Sequence, residues 1–302
     1  MKSRNSQLLY HLVAFLTIVV WGSTFVFTKM LLQAGLSAAQ IFTLRFLIAY
    51  VLLMACQLLT RHISRSSLFC KNWRDELLMV ALGVTGGSLY FLTENEALNY
   101  TTATNTSLIV CSCPLVASVL IGLFYRSERM SRLQTLGALM AVAGVATVVL
   151  NGHFVLHLSP IGDTLALGAN LCWAFYSLLM IPVGRRYDSV FITRKVFFYG
   201  LLTIIPYFLW RPEEANPSIL QCFDASIILN LLFLGCIASL ACFLAWTWVI
   251  KKLGAVVATN YVYLNPIATI VFAWWLLSEQ ITVYILFGTV LILVGMYLAD
   301  RR

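Results

Sequence analysis

The sequence predicts an all-α polytopic membrane protein whose ten transmembrane helices form two inverted five-helix repeats, residues 1–151 and 152–302. Composition, the spacing of apolar runs and the positions of the basic residues each point there. Of 302 residues, 61% are hydrophobic and 11% charged, whereas soluble domains carry about a quarter charged residues. The mean hydropathy of +0.88 spreads the apolar excess over the whole length instead of one anchor. A spanning helix needs roughly 20 apolar residues, so about ten crossings use up the chain and leave no room for a separate catalytic domain.

The apolar stretches fall at 10–32, 38–60, 76–95, 101–125, 132–150, 162–182, 190–210, 225–249, 254–277 and 281–299. The first is too long for a signal peptide, contains Trp21 and Lys29 and lacks a small-residue cleavage site, so it is expected to be retained. The second carries Arg45; the third carries Glu94 and the pair Gly83 and Gly87, four apart, which suits close helix packing. Pro114 in the fourth and Pro266 in the ninth are expected to kink their helices. Ser131 and Thr282 are expected N-caps for the fifth and tenth. The seventh is the weakest. Its uninterrupted apolar part, Val196 to Trp210, is short and contains Pro206, so it spans only if Arg194 and Lys195 snorkel back to the interface. A β-barrel would need alternating polarity, but Leu136–Leu150 and Ile267–Leu277 are continuously apolar.

Short cytoplasmic loops collect Lys and Arg. With the N-terminus inside, seventeen of the twenty basic residues fall in inner loops and tails, Arg211 alone lies outside, and Lys29 and Arg45 lie within spans. The formal charge of +8 therefore reports orientation in an inner (plasma) membrane with both termini cytoplasmic, and no nucleic-acid partner is expected. Of the eight cysteines, six lie in spans, where a thiol behaves as a small hydrophobe. Cys111-x-Cys113 could hold a soft metal, but all four His sit at or beyond membrane edges, so no metal and no other cofactor is expected.

The two halves repeat. Ser127-Glu128, Gly137 and Gly144 recur as Ser278-Glu279, Gly288 and Gly295 at a constant offset; Ala103-Thr104-Asn105 answers Ala258-Thr259-Asn260, Cys113-Pro114 answers Asn265-Pro266, and Trp21 answers Trp173. Five spans per half is odd, so the second half crosses in the opposite sense. Inverted repeats around a midplane site are the architecture of secondary transporters, although a duplicated bundle also makes a stable scaffold.

Trp21-Gly22-Ser23-Thr24-Phe25, Arg45-Phe46 and the Glu-x8-Gly-x6-Gly endings of both halves, together with the five-plus-five layout, resemble the EamA family of the drug/metabolite transporter superfamily. The resemblance implies a ten-helix exporter of amino acids or other small metabolites, with a central cavity lined by both halves. Uptake is the rival transport reading. A membrane enzyme acting on lipid-linked substrates would want paired acids or a His/Asp cluster, which the sequence lacks, so no catalytic residue is expected.

No phosphate-binding glycine loop is present, so the driving force is a gradient, with a proton or another ion as the expected coupling species. Lys29 and Glu94 fall at similar depth near the outer surface and are expected to pair, and Arg45 lies about 10 Å into its span, deep enough to seek Glu94, Glu96 or a carbonyl. These three form either a rim network that fixes helix register or a gate and coupling group. Asn105, Asn170, Asn260 and Asn265 lie within spans, where an amide must face protein, water or substrate. Asn105 and Asn260 stand out because the repeat pairs them near Pro114 and Pro266. Trp21, Tyr90, Trp173 and Trp246 lie away from the interface belts and either pack or wall a cavity. The substrate is expected near midplane, bounded by Trp21 and Trp173 and bonded by Asn105 and Asn260.

Overall fold

The computed structural model describes residues 4–59, 68–100, 103–125, 131–150, 159–215, 224–277 and 283–300, and these are almost wholly helical. In chain order the helices are α1 (Arg4–Gln33), α2 (Ala38–Leu59), α3 (Trp73–Gly83), α4 (Leu89–Tyr100), α5 (Ala103–Cys111), α6 (Cys113–Phe124), α7 (Arg132–Leu150), α8 (Pro160–Gly184), α9 (Ser189–Thr203), α10 (Ile205–Trp210), α11 (Ala225–Leu232), α12 (Cys242–Leu253), α13 (Ala255–Asn260), α14 (Asn265–Leu277) and α15 (Val283–Asp300). Among the described residues seven helical runs are long and apolar enough to cross a bilayer: Gln7–Gln33, Ala38–Leu59, Trp73–Tyr100, Pro160–Gly184, Ser189–Trp210, Ala225–Leu253 and Ala255–Phe272. Shorter apolar helices cover Ile109–Phe124 and Leu286–Ala299. The chain is a multi-pass membrane protein.

Local chemistry sets where the helices begin, break and end. Ser131 takes the Gln134 amide on its Oγ at 3.2 Å, and Gln134 Oε1 accepts the Ser131 amide at 2.9 Å. Ser37 and Gln40 make the same reciprocal cap at the start of α2. Gly254, at φ 88°, ends α12 in a conformation that a side chain would strain. The two expected proline kinks are interruptions. Pro114 sits in the first turn of α6, just after the break at Ser112, and Pro266 sits in the first turn of α14, after a 3-10 turn over Tyr261–Leu264. Two further breaks are π-helical. Val84–Ser88 joins α3 to α4, with Gly87 outside helical dihedrals at φ −130°, ψ −107°, and Phe233–Ala241 joins α11 to α12. Such segments displace the helix axis and leave backbone carbonyls free for side chains.

Helices pack on partners distant in the sequence. α1 lies on α12 and α14, α2 on the π segment of Phe233–Ala241, α3 on α9, and α4 on α8. Helix α7 packs along α15 through Gly137, Gly144, Gly288 and Gly295, so the glycines that define the repeat become the seam between its two ends. A Cβ added at Gly83 would fall on Tyr199, and one added at Gly87 would lie 3.3 Å from the Gly200 Cα, the close packing expected for that pair.

In the seventh apolar stretch the expectation of snorkelling fails. Arg194 and Lys195 are both buried; Arg194 donates to Gln57 Oε1 at 3.3 Å and Lys195 pairs with Glu76. The helix stops at Thr203 and restarts at Ile205, with Pro206 in the new first turn. Neighbouring helices supply the partners that the interface was expected to give. Ser127-Glu128, Ser278-Glu279 and the Thr282 cap lie outside the described residues.

Candidate functional site

A cavity opens where α1, α2, α4, α5, α8, α12, the 3-10 turn over Tyr261–Leu264 and α14 converge. It is lined by Trp21, Thr24, Phe25, Arg45, Tyr90, Phe91, Glu94, Val110, Trp173, Phe243, Val262 and Asn265. Its walls are aromatic. Trp21 meets Trp173 edge to face at 5.3 Å between ring centroids and Phe243 at 5.7 Å, and Tyr90 meets Trp173 at 5.0 Å. The free space, about 30 Å³ measured to the centre of a water molecule, holds roughly two waters. As it stands the space is too small for a molecule much larger than water.

Several polar groups in the wall are oriented by specific partners. Trp21 Nε1 donates to the Ala238 carbonyl at 2.9 Å, a carbonyl that belongs to the π segment. Arg45 Nε donates to Ser239 Oγ at 2.9 Å in the same segment, and the guanidinium lies 4.4 Å over the Phe91 ring. Tyr90 donates its hydroxyl to Glu94 Oε1 at 2.7 Å. Asn265 Oδ1 is buried without a hydrogen-bond partner. Arg45 and Glu94 face one cavity, yet among the described residues the ion pairs involve other groups.

Of the residues singled out in the sequence, the cavity brings together Trp21, Tyr90, Trp173, Asn265, Arg45 and Glu94. It leaves out four others. Asn170 donates to the Ile109 carbonyl and to Ser112 Oγ, both at 2.6 Å, and so ties α8 to the break between α5 and α6. Trp246 packs behind the wall, 5.1 Å from Trp21. Asn260 is buried at the end of α13 but outside the lining; Asn265, beyond the 3-10 turn, takes the lining position. Lys29 donates to the Leu98 carbonyl and not to Glu94. Leu98 lies in the last turn of α4, where carbonyls lack intrahelical partners and a cation is favoured. The Asn105 side chain lies outside the described residues.

Phe91 and Phe243 carry much of the wall and went unremarked in the sequence, because the phase of α4 and α12 follows from the π segments before them. The Gly86-Gly87 doublet was the available signal for the first of these breaks.

The sequence pattern of the EamA-like transporter family matches residues 8–150 and again residues 160–299. The chain belongs to that family. An uncharacterized transporter of Archaeoglobus fulgidus is 29% identical over 297 residues, covering 97% of each chain. A probable amino-acid metabolite efflux pump of Escherichia coli is 24% identical, over 95% of this chain and 93% of its own. A probable terminal-alkyne amino-acid exporter of Streptantibioticus cattleyicolor is 26% identical over 95% and 92%. A crystal structure aligns with a TM-score of 0.74 at 20% identity over 98% of both chains, which shows a shared fold.

This transporter also carries a second charge cluster, outside the cavity lining. Asp75 accepts from Arg186 and, at 2.8 Å, from the Tyr187 hydroxyl; Glu76 accepts from Lys195 and Tyr199 and, at 2.7 Å, from the Cys70 amide. Lys251 donates to the Tyr187 carbonyl at 2.7 Å. Burial and the Asp75 carboxylate push the Tyr187 phenol up to about 12, so it remains a donor. The cluster ties α3 to α9 and to the turn after α8.

Because Lys29 and Glu94 have separate partners, Lys29→Ala and Glu94→Ala are expected to add in the double mutant to within about 0.5 kcal/mol. Thermal unfolding of the purified variants measures this, and a coupling well above that value would restore a direct pair.

Proposed function

We propose that the chain is a secondary transporter that exports amino acids or similar small metabolites across the inner membrane by alternating access. On this reading the ten apolar stretches make ten crossings, the halves 1–151 and 152–302 are inverted repeats, both termini are cytoplasmic, and Lys29, Arg45 and Glu94 serve as gating or coupling groups. One observation carries the reading: a small cavity whose aromatic and polar lining comes from both family matches, Trp21 to Val110 from the first and Trp173 to Asn265 from the second. Breaks at Pro114 and Pro266, in corresponding places of the two halves, support the repeat. The names of the Escherichia coli and Streptantibioticus cattleyicolor relatives support export of amino-acid-like molecules.

Trp21→Ala and Asn265→Ala test the site. Each removes wall or hydrogen-bonding capacity, and the flux of purified protein in liposomes, normalised to folded protein, is expected to fall about tenfold, the equivalent of ~1.4 kcal/mol of lost contact. Flux at the wild-type rate in both, or losses that track folded yield, would move the substrate path to another face.

A further inference from the structure

Arg45 and Glu94 are the ionic side chains of the central cavity, and their environments differ from an internal salt bridge. Arg45 is 1% exposed and Glu94 7%. Each is fixed by neutral neighbours: Ser239 and the Phe91 face hold the guanidinium, and the Tyr90 hydroxyl holds Glu94 Oε1. Fixing Arg45 through Nε leaves the two terminal nitrogens without a hydrogen bond among the described residues, and Glu94 Oε2 likewise accepts none. Two buried ionisable groups, oriented by their surroundings and not in contact with each other, are costly to charge unless a partner arrives.

We propose that Arg45 and Glu94 act on transport by binding the substrate itself, as the two poles of its site, so that this cavity selects zwitterions: a carboxylate on Arg45, an ammonium at Glu94, and an apolar remainder against Trp21 and Trp173. The inference rests on the transport reading above and names the substrate class for that same cavity. The planar terminal N–H groups of Arg45 match the two oxygens of a carboxylate. An ammonium at Glu94 also lies among the Tyr90, Trp21 and Trp173 rings, whose faces favour cations. A lone amine would leave Arg45 unpaired and a lone carboxylate would leave Glu94 unpaired. A site built around buried charges rejects a molecule that leaves one of them without its partner. Asn265 Oδ1, buried without a donor, is a further acceptor for the ammonium.

The test uses the full-length protein in liposomes loaded with equal amounts of neutral amino acids, their amides, which carry only the cation, and the matching deaminated acids, which carry only the anion. Efflux is measured by mass spectrometry against empty liposomes. Amino acids are expected to leave about tenfold faster than either singly charged analogue. Arg45→Gln should reduce the preference over amides to about twofold, and Glu94→Gln the preference over deaminated acids by a similar factor, each leaving the other preference in place. Equal wild-type efflux of an amide or a deaminated acid would overturn the proposal, as would preferences unchanged in both variants. Should either variant misfold, the wild-type analogue series alone decides. Wild-type liposomes that release other metabolites of a loaded cell extract but none of the amino acids would sink the zwitterion and leave transport standing. Folded protein that releases nothing from the extract would sink both.

Discussion

Gly295→Leu is expected to abolish folded protein. A Cβ at Gly295 falls on the Ala141 amide nitrogen and 2.6 Å from the Gly137 carbonyl oxygen, and Gly137 stands in the reciprocal relation to the Ala299 amide and the Gly295 carbonyl. One turn or two along the same seam, a Cβ at Gly144 would lie 2.7 Å from the Ile292 amide nitrogen. These obstacles are backbone atoms of a packed neighbouring helix, so they cannot rotate away as a side-chain tip would. Adding even one buried methyl to a tight interface costs about 1–3 kcal/mol, and leucine adds three more carbons. In a bilayer, where helices gain little from hydrophobic exclusion, close backbone approach is the main source of association. Size-exclusion chromatography after mild extraction should show little monodisperse Gly295→Leu and a reduced but measurable peak for Gly295→Ala. A full-height leucine peak would mean that α7 and α15 are free to separate.

The second large effect belongs to Glu76. Lys195 is buried, and Glu76 accepts its ammonium together with the Tyr199 hydroxyl. Glu76→Ala leaves that ammonium without its counter-charge and is expected to cost about 3 kcal/mol, the low end of the range for broken buried pairs because Glu76 retains some solvent contact. Lys195→Met should cost less, since the remaining carboxylate keeps the Cys70 amide and Tyr199. Removing both charges, as Glu76→Leu with Lys195→Met, should recover most of the loss, because a buried ion pair replaced by apolar groups of similar size is close to neutral. Thermal unfolding of the four proteins orders them. A double mutant as damaged as the sum of the two singles would show that each side chain acts through other contacts.

Much of the helical layout was legible in the sequence because long apolar runs have one stable form in lipid. The Ser131 cap was legible for a local reason too: a serine followed three residues later by Gln134 satisfies amides within the same turn. Arg194 and Lys195 show the limit. Near the start of a weak apolar stretch two cations read as snorkelling groups, and only the packing of α9 on α3 and α2 shows that Glu76 and Gln57 receive them.

The site divides in the same way. Trp21, Tyr90, Trp173, Asn265, Arg45 and Glu94 could be nominated as polar or aromatic residues inside spans, but their company in one cavity depends on helix phase. The π segments at Val84–Ser88 and Phe233–Ala241 and the 3-10 turn at Tyr261–Leu264 each reset that phase. Asn265 thereby reaches the wall and Asn260 does not, and Arg45 meets Ser239 while Lys29 stops at the Leu98 carbonyl. The sequence by itself determined the membrane class, the long helices and the chemical types available inside them, because hydropathy and capping act over a single turn or a single span. Which of those groups face one another was decided by the tertiary structure, because that choice turns on rotations of a helix by a fraction of a turn, set by contacts between residues as distant as Trp21 and Ala238.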